Sequence, residues 1–116
     1  VGALLLPAAA QKEEYMSSTF VILWGHGPAW VEGKTVREQP AWAEHAAFMD
    51  ALFEQGMVVL GGPFADGTGS LVVLEAEGED GVRTLLAKDP FVEQGVFVLD
   101  SLKEWQLFLD ARRLAK

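Results

Sequence analysis

The 116-residue chain contains no cysteine, a single tyrosine and only two histidines. Without cysteine, disulfides, thiolate metal sites and a cysteine nucleophile are excluded. Basic residues are also scarce: nine Lys and Arg against 17 Asp and Glu, a formal net charge of −8. A field of that sign repels a phosphate backbone, so nucleic acid is not an expected partner. No stretch is both basic and amphipathic, so a membrane surface is not expected as a partner either. The apolar run near the amino terminus is far shorter than the ~20 residues that span a bilayer. Gly25-His26-Gly27 and Gly67-Thr68-Gly69 lack the third glycine of a dinucleotide fingerprint, and no P-loop lysine follows a glycine run. The two histidines lack HExxH spacing, and Ser70 has no nucleophile-elbow context. Neither metal nor cofactor is expected.

What is present is a globular composition, 50% hydrophobic and 22% charged, of a length suited to one domain. Residues 1–10 (VGALLLPAAA) admit two readings. An apolar run, a proline and Ala-x-Ala at 8–10 resemble the tail of a secretory signal, implying a periplasmic or exported protein. Alternatively, the natural chain starts at Met16 and is cytoplasmic. Under both, residues 1–18 form an extension outside the domain.

Residues 19–24 (TFVILW), 57–60, 71–74 and 96–99 are short apolar runs bounded by Gly, Pro or acidic residues, and read as strands. Residues 64–69 (FADGTG) supply a hairpin turn between the second and third. Between the first two lies a helix over 40–55, with Pro40 in its first turn and Gly56 just past its end. Trp42, His45, Ala46, Met49, Leu52 and Phe53 form its apolar face. A second helix covers 79–88, with Val82, Leu85 and Leu86 inward, and Asp89-Pro90 ends it. The order β-α-β-β-α-β is the ferredoxin-like α+β arrangement, a four-stranded antiparallel sheet with two helices on one face. Its strands are apolar at nearly every position, so the other face also needs a cover. A second copy of the chain is the expected one, giving a homodimer with sheets face to face. The alternative cover is residues 101–116 folded back, using Leu102, Trp105, Leu107, Phe108 and Leu109.

This topology gathers His26, Trp30, His45, Pro63, Ser70 and Asp89 at one end of the sheet. His45 stands on an apolar helix face where a leucine is expected. Asp89 puts a negative charge at a helix C-terminus, which is mildly unfavourable. A His45–Asp89 hydrogen bond explains both, fixing the imidazole tautomer and leaving the other nitrogen for proton transfer. The residues alone also read as a structural core pair, or as two unrelated residues. His26 lines a pocket or is a solvated loop residue. Trp30 and Trp42 wall an apolar cleft or are plain core. Arg37, the only basic residue between Lys34 and Arg83, holds a substrate carboxylate or is a surface charge.

Taken together, these residues resemble the YCII-related (YciI-like) family. The resemblance rests on residues 44–49 (EHAAFM), Gly56, residues 61–67 (GGPFADG), residues 69–73 (GSLVV), Asp89-Pro90-Phe91 and Gly95-Val96-Phe97. It extends over about 19–105, leaving 106–116 as a C-terminal extension. It implies a dimeric α+β barrel similar in fold to muconolactone isomerase. It also implies a His–Asp pair in a cleft, matching His45 and Asp89, with lyase or dehydrohalogenase chemistry on aromatic-derived compounds. The leading expectation is a cofactor-independent lyase or isomerase. His45 moves a proton, Asp89 orients it, and His26, Trp30, Trp42, Pro63 and Ser70 bind a small cyclic substrate. The alternative is a non-catalytic dimeric module that binds a small ligand or serves as an accessory domain.

Overall fold

The computed structural model describes residues 17–113; the two readings of the amino terminus fall on residues outside that range. Strands β1 (Ser18–His26), β2 (Val58–Pro63), β3 (Ser70–Ala76) and β4 (Phe97–Glu104) form one antiparallel sheet in the order β2-β3-β1-β4. Helix α1 (Trp42–Glu54) joins β1 to β2; α2 (Glu79–Leu86) and a short α3 (Pro90–Glu93) join β3 to β4. The ferredoxin-like α+β arrangement expected from the sequence is the one observed.

Period-two alternation sorts the side chains. Phe20, Ile22 and Trp24 of β1 pair with Leu74, Val72 and Ser70 of β3 on one face. There the apolar members join Leu52 of α1, Val82 and Leu86 of α2 and Phe91 of α3 in one buried cluster. Burying each large apolar side chain contributes about 1.5–3 kcal/mol. Both longer helices therefore cover the same face. On the opposite face Val21 and Leu23 pair with Val73 and Leu71, with Leu60 across from Val73 and Val98 from Gly25. Leu60 is 67% exposed and Val98 40%. The expected apolar face is real at its centre, but Glu75, Asp100 and Lys103 make its margins polar.

Four details depart from expectation. Strand β4 continues through Glu104, so residues 101–104 are ladder rather than a segment free to fold back, and Leu102 packs on the helix-side core. Beyond it, Phe108 and Leu109 are 87% and 93% exposed, while Leu107 is half-buried and Arg112 reaches Glu75 (3.7 Å), so the segment returns only to the margin of the open face. Helix α1 starts at Trp42, not at Pro40, because Ala41 before it adopts a left-handed conformation (φ 65°) that cannot continue a helix. Phe53, expected on the buried face, is 61% exposed; Phe48 packs against the core as well. The C-terminal end of α1 is as expected. Gly56 at φ 82° lets its own N–H reach Phe53 O (3.0 Å) and that of Met57 reach Leu52 O (3.0 Å), a Schellman termination.

Candidate functional site

The start of α1 packs against α3 at one end of the sheet, and His45 and Asp89 meet there. His45 Nδ1 lies 2.8 Å from Asp89 Oδ1 and 3.0 Å from Oδ2. Asp89 is 1% exposed. A carboxylate so deeply buried requires hydrogen-bond partners, and a second one is Phe91 N–H, which donates to Oδ1 at 2.9 Å. Asp89 is thus the N-cap of α3, with Pro90 at its first position. The unfavourable charge read at the end of α2 is a favourable one at the start of α3. An Asp-Pro pair followed by apolar residues is a helix-start signature, and it was legible in the sequence.

A carboxylate only accepts hydrogen bonds, so Nδ1 carries the proton. The imidazole is clamped by stacking on Phe91 (centroids 3.9 Å, 7° between planes), with Trp42 tilted at 5.6 Å and Phe97 edge-on at 5.6 Å. Nε2 makes no hydrogen bond among the described residues, and none of their buried side-chain nitrogens or oxygens lacks a partner. Nε2 is therefore the ring edge left to the cavity that His45 lines.

That cavity, about 350 Å³, has apolar walls from Trp24, Trp42, Met49 and Phe97, with Arg37 and Asp50 among its polar lining. A second cavity of about 460 Å³ is lined by His26, Trp30, Lys34 and Phe64. The two share Val36, Pro63, Ser70 and Phe97, so they are lobes of one cleft. Both volumes are in the range of small-ligand sites. Ser70 is buried where the lobes join, with a hydroxyl that makes no hydrogen bond among the described residues. Every residue singled out from the sequence lines one lobe or the other, except Asp89, which stands behind His45.

His26 ends β1 opposite Phe97 and stacks flat on Trp30 (3.7 Å, 6°). The loop beyond is fastened to the start of β4: Gly27 N donates to Val96 O and Ala29 N to Gly95 O, each at 2.8 Å. The approach is so close that a Cβ on Gly27 would overlap the Gly95 carbonyl. Further along, the buried Gln39 side chain accepts from Val31 N (2.7 Å) and donates to Val31 O (3.0 Å), Lys34 O and Thr35 O. Next to it, the 3-10 turn Val36–Glu38 is held by Glu38 Oε1, which accepts from Thr35 N (2.8 Å) and Oγ1 (3.2 Å). Those bonds keep the Glu38 carboxyl below its ordinary pKa. The sequence does not mark Gln39 or Phe97 as residues of the cleft. A polar loop residue carries no periodic signal of its burial, and Phe97 reads there as one more strand residue. Among the described residues no three His, Asp or Glu side chains gather as a metal site.

A family model for the YCII-related domain matches residues 19–106, and the chain belongs to that family. The uncharacterized protein YjpA of Bacillus subtilis (strain 168) is 35% identical over 65 residues, 56% of this chain and 75% of YjpA. Among solved structures, the chain is similar to 5-chloro-2-hydroxyhydroquinone dehydrochlorinase (TftG) from Burkholderia phenoliruptrix AC1100, in complex with 2,5-dihydroxybenzoquinone. That likeness has a TM-score of 0.61 and 28% identity, and covers 76% of this chain and 93% of the other.

Proposed function

We propose that the chain is a cofactor-independent acid–base enzyme acting on a small cyclic, aromatic-derived substrate, of lyase, isomerase or dehydrohalogenase type. The observation that carries this reading is the buried His45–Asp89 pair with Nε2 left to the cleft. Neutral His45 takes a proton at Nε2 from an acidic C–H or O–H of the substrate. The buried Asp89 carboxylate, 2.8 Å from Nδ1, stabilises the imidazolium that forms. Return of the proton to another atom gives isomerisation; departure of a halide gives net loss of HX. Both outcomes are redox-neutral and require no cofactor. Trp42, Pro63 and Ser70 bind the ring in the His45 lobe, while His26 and Trp30 receive its substituents in the other. Positioned proton transfer of this kind supplies about 10²–10⁴-fold. The family, and the dehydrochlorination named for TftG, support an aromatic substrate.

The test is turnover of a panel of halogenated hydroquinones, lactones and enols by wild type and His45→Gln. Wild type is expected to convert at least one compound, and His45→Gln to lose about 10²–10⁴-fold in rate while binding it with similar affinity. Equal rates in the two proteins would remove His45 from the chemistry. A panel that is bound but never converted would favour the ligand-binding module instead. We further propose that the chain forms a homodimer through the open sheet face, where the half-buried Val21, Leu23 and Leu71 surround the buried Val73.

A further inference from the structure

The proposed chemistry leaves three charged residues of the cleft lining, Arg37, Asp50 and Lys34, without a role, and Arg37 stands in the lobe of His45. Arg37 lines the His45 lobe from the turn Val36–Glu38. The chain has four arginines. Arg83 pairs with Glu79 at 2.9 Å, Arg112 with Asp110 at 2.6 Å and Arg113 with Asp110 at 3.1 Å. Arg37 makes no ion pair among the described residues. Its backbone is nevertheless held firmly, between the Glu38–Thr35 bonds and the buried Gln39 amide. An exposed guanidinium with five donors, carried on a fixed turn beside an apolar cavity, is placed to reach an anion bound there.

Charge distribution points the same way. A net charge of −8 makes the molecule as a whole unfavourable to anions. From residue 17 to residue 82 the only Lys or Arg side chains are Lys34 and Arg37, and each lines one lobe of the cleft. Asp50 of α1 also lines the His45 lobe, but forms no ion pair with Arg37. The cleft is thus a local exception to an acidic surface.

We propose that Arg37 is the anion-recognition residue of this cleft. It pairs with a carboxylate or ionised phenol oxygen on a planar cyclic substrate whose ring rests between Trp42 and Phe97. The inference rests on the reading of the His45 cleft as a ligand site, and it narrows that site to anionic ring compounds. Arg37 sets which substrates enter; it transfers no proton.

A matched pair of probes separates charge from shape: 2,5-dihydroxybenzoate and 2,5-dihydroxybenzamide, titrated against the full chain and followed by quenching of the cleft tryptophans. Wild type is expected to prefer the benzoate. Arg37→Gln should weaken the benzoate by about tenfold or more and leave the amide unchanged. Arg37→Lys should recover part of the loss, and added salt should weaken only the benzoate in wild type. An anion preference that survives Arg37→Gln would overturn the assignment. An equal loss for both probes would do the same, by showing that the arginine merely shapes the turn. If neither probe binds wild type, the ligand-site reading itself falls, and this inference with it.

Discussion

Asp89 serves two partners at once, and conservative substitutions separate them. It caps α3 through Phe91 N–H and fixes His45 through Nδ1. Asparagine is also a good N-cap but carries no charge to stabilise an imidazolium. Asp89→Asn is therefore expected to unfold in urea within about 1 kcal/mol of wild type while turnover falls steeply. Asp89→Ala loses the cap and leaves Phe91 N–H and His45 Nδ1–H without that acceptor, costing about 1–3 kcal/mol in the same denaturation experiment. A pair with only a structural role would show activity tracking stability in both variants. Ala41 shows a different residue-scale economy. Its left-handed backbone turns the chain so that its carbonyl accepts the first helical bond of α1, from His45 N at 2.9 Å.

Among elements, the loop between β1 and α1 does most to shape the cleft, and the sequence says least about it. The four strands are legible as short apolar runs bounded by turn residues, and the two longer helices because burial on one face imposes a period of 3.6. His45 and Asp89 are legible because each breaks its local rule. Helix α3 was missed because four residues are too few for a period to emerge, although Asp89-Pro90 announces its start. The loop has no period, and its order depends on a buried Gln39 that contacts residues 31, 34 and 35. Gln39→Ala removes the side chain that satisfies those backbone groups, and is expected to cost about 1–3 kcal/mol. Amide exchange should quicken at residues 31–38 first, with weakened ligand affinity as its functional counterpart. Unchanged exchange there would mean that the loop is held by its ties to Gly95 and Val96 alone.

At the scale of the molecule, two features lie away from the cleft. The turn Ala111–Arg113 is tied back to the sheet: Asp110 binds Arg112 and Arg113, and Arg112 Nη2 lies 3.7 Å from Glu75 on β3. Arg112, chiefly by side-chain hydrogen bonds, holds the Asp110 carboxyl well below its ordinary value of 3.8. A lowered folded pKa means that this contact is fully favourable above the ordinary value and fades as pH falls through the lowered one. The Arg112 Nε–H resonance is expected to keep its docked shift at pH values where free carboxylates are already protonated, and to lose it only in stronger acid. Asp110→Asn should abolish the docked shift at every pH. The second feature is the open sheet face. If it is the proposed dimer interface, Leu23→Glu should convert a dimer to a folded monomer in sedimentation velocity; a monomeric wild type would reject the homodimer.

The short Nδ1–H···Oδ1 contact described for the candidate site has a consequence beyond chemistry. It joins side chains 44 positions apart, across the whole β2–β3 hairpin and α2. Its proton sits between an imidazole stacked on Phe91 and a carboxylate that is 1% exposed. Such a proton should exchange slowly with water and resonate far downfield, in a region of the NMR spectrum free of amide signals. One line in that empty window would then report, without any label, whether the halves of a molecule have found each other, and a refolding time course could be read from its growth alone.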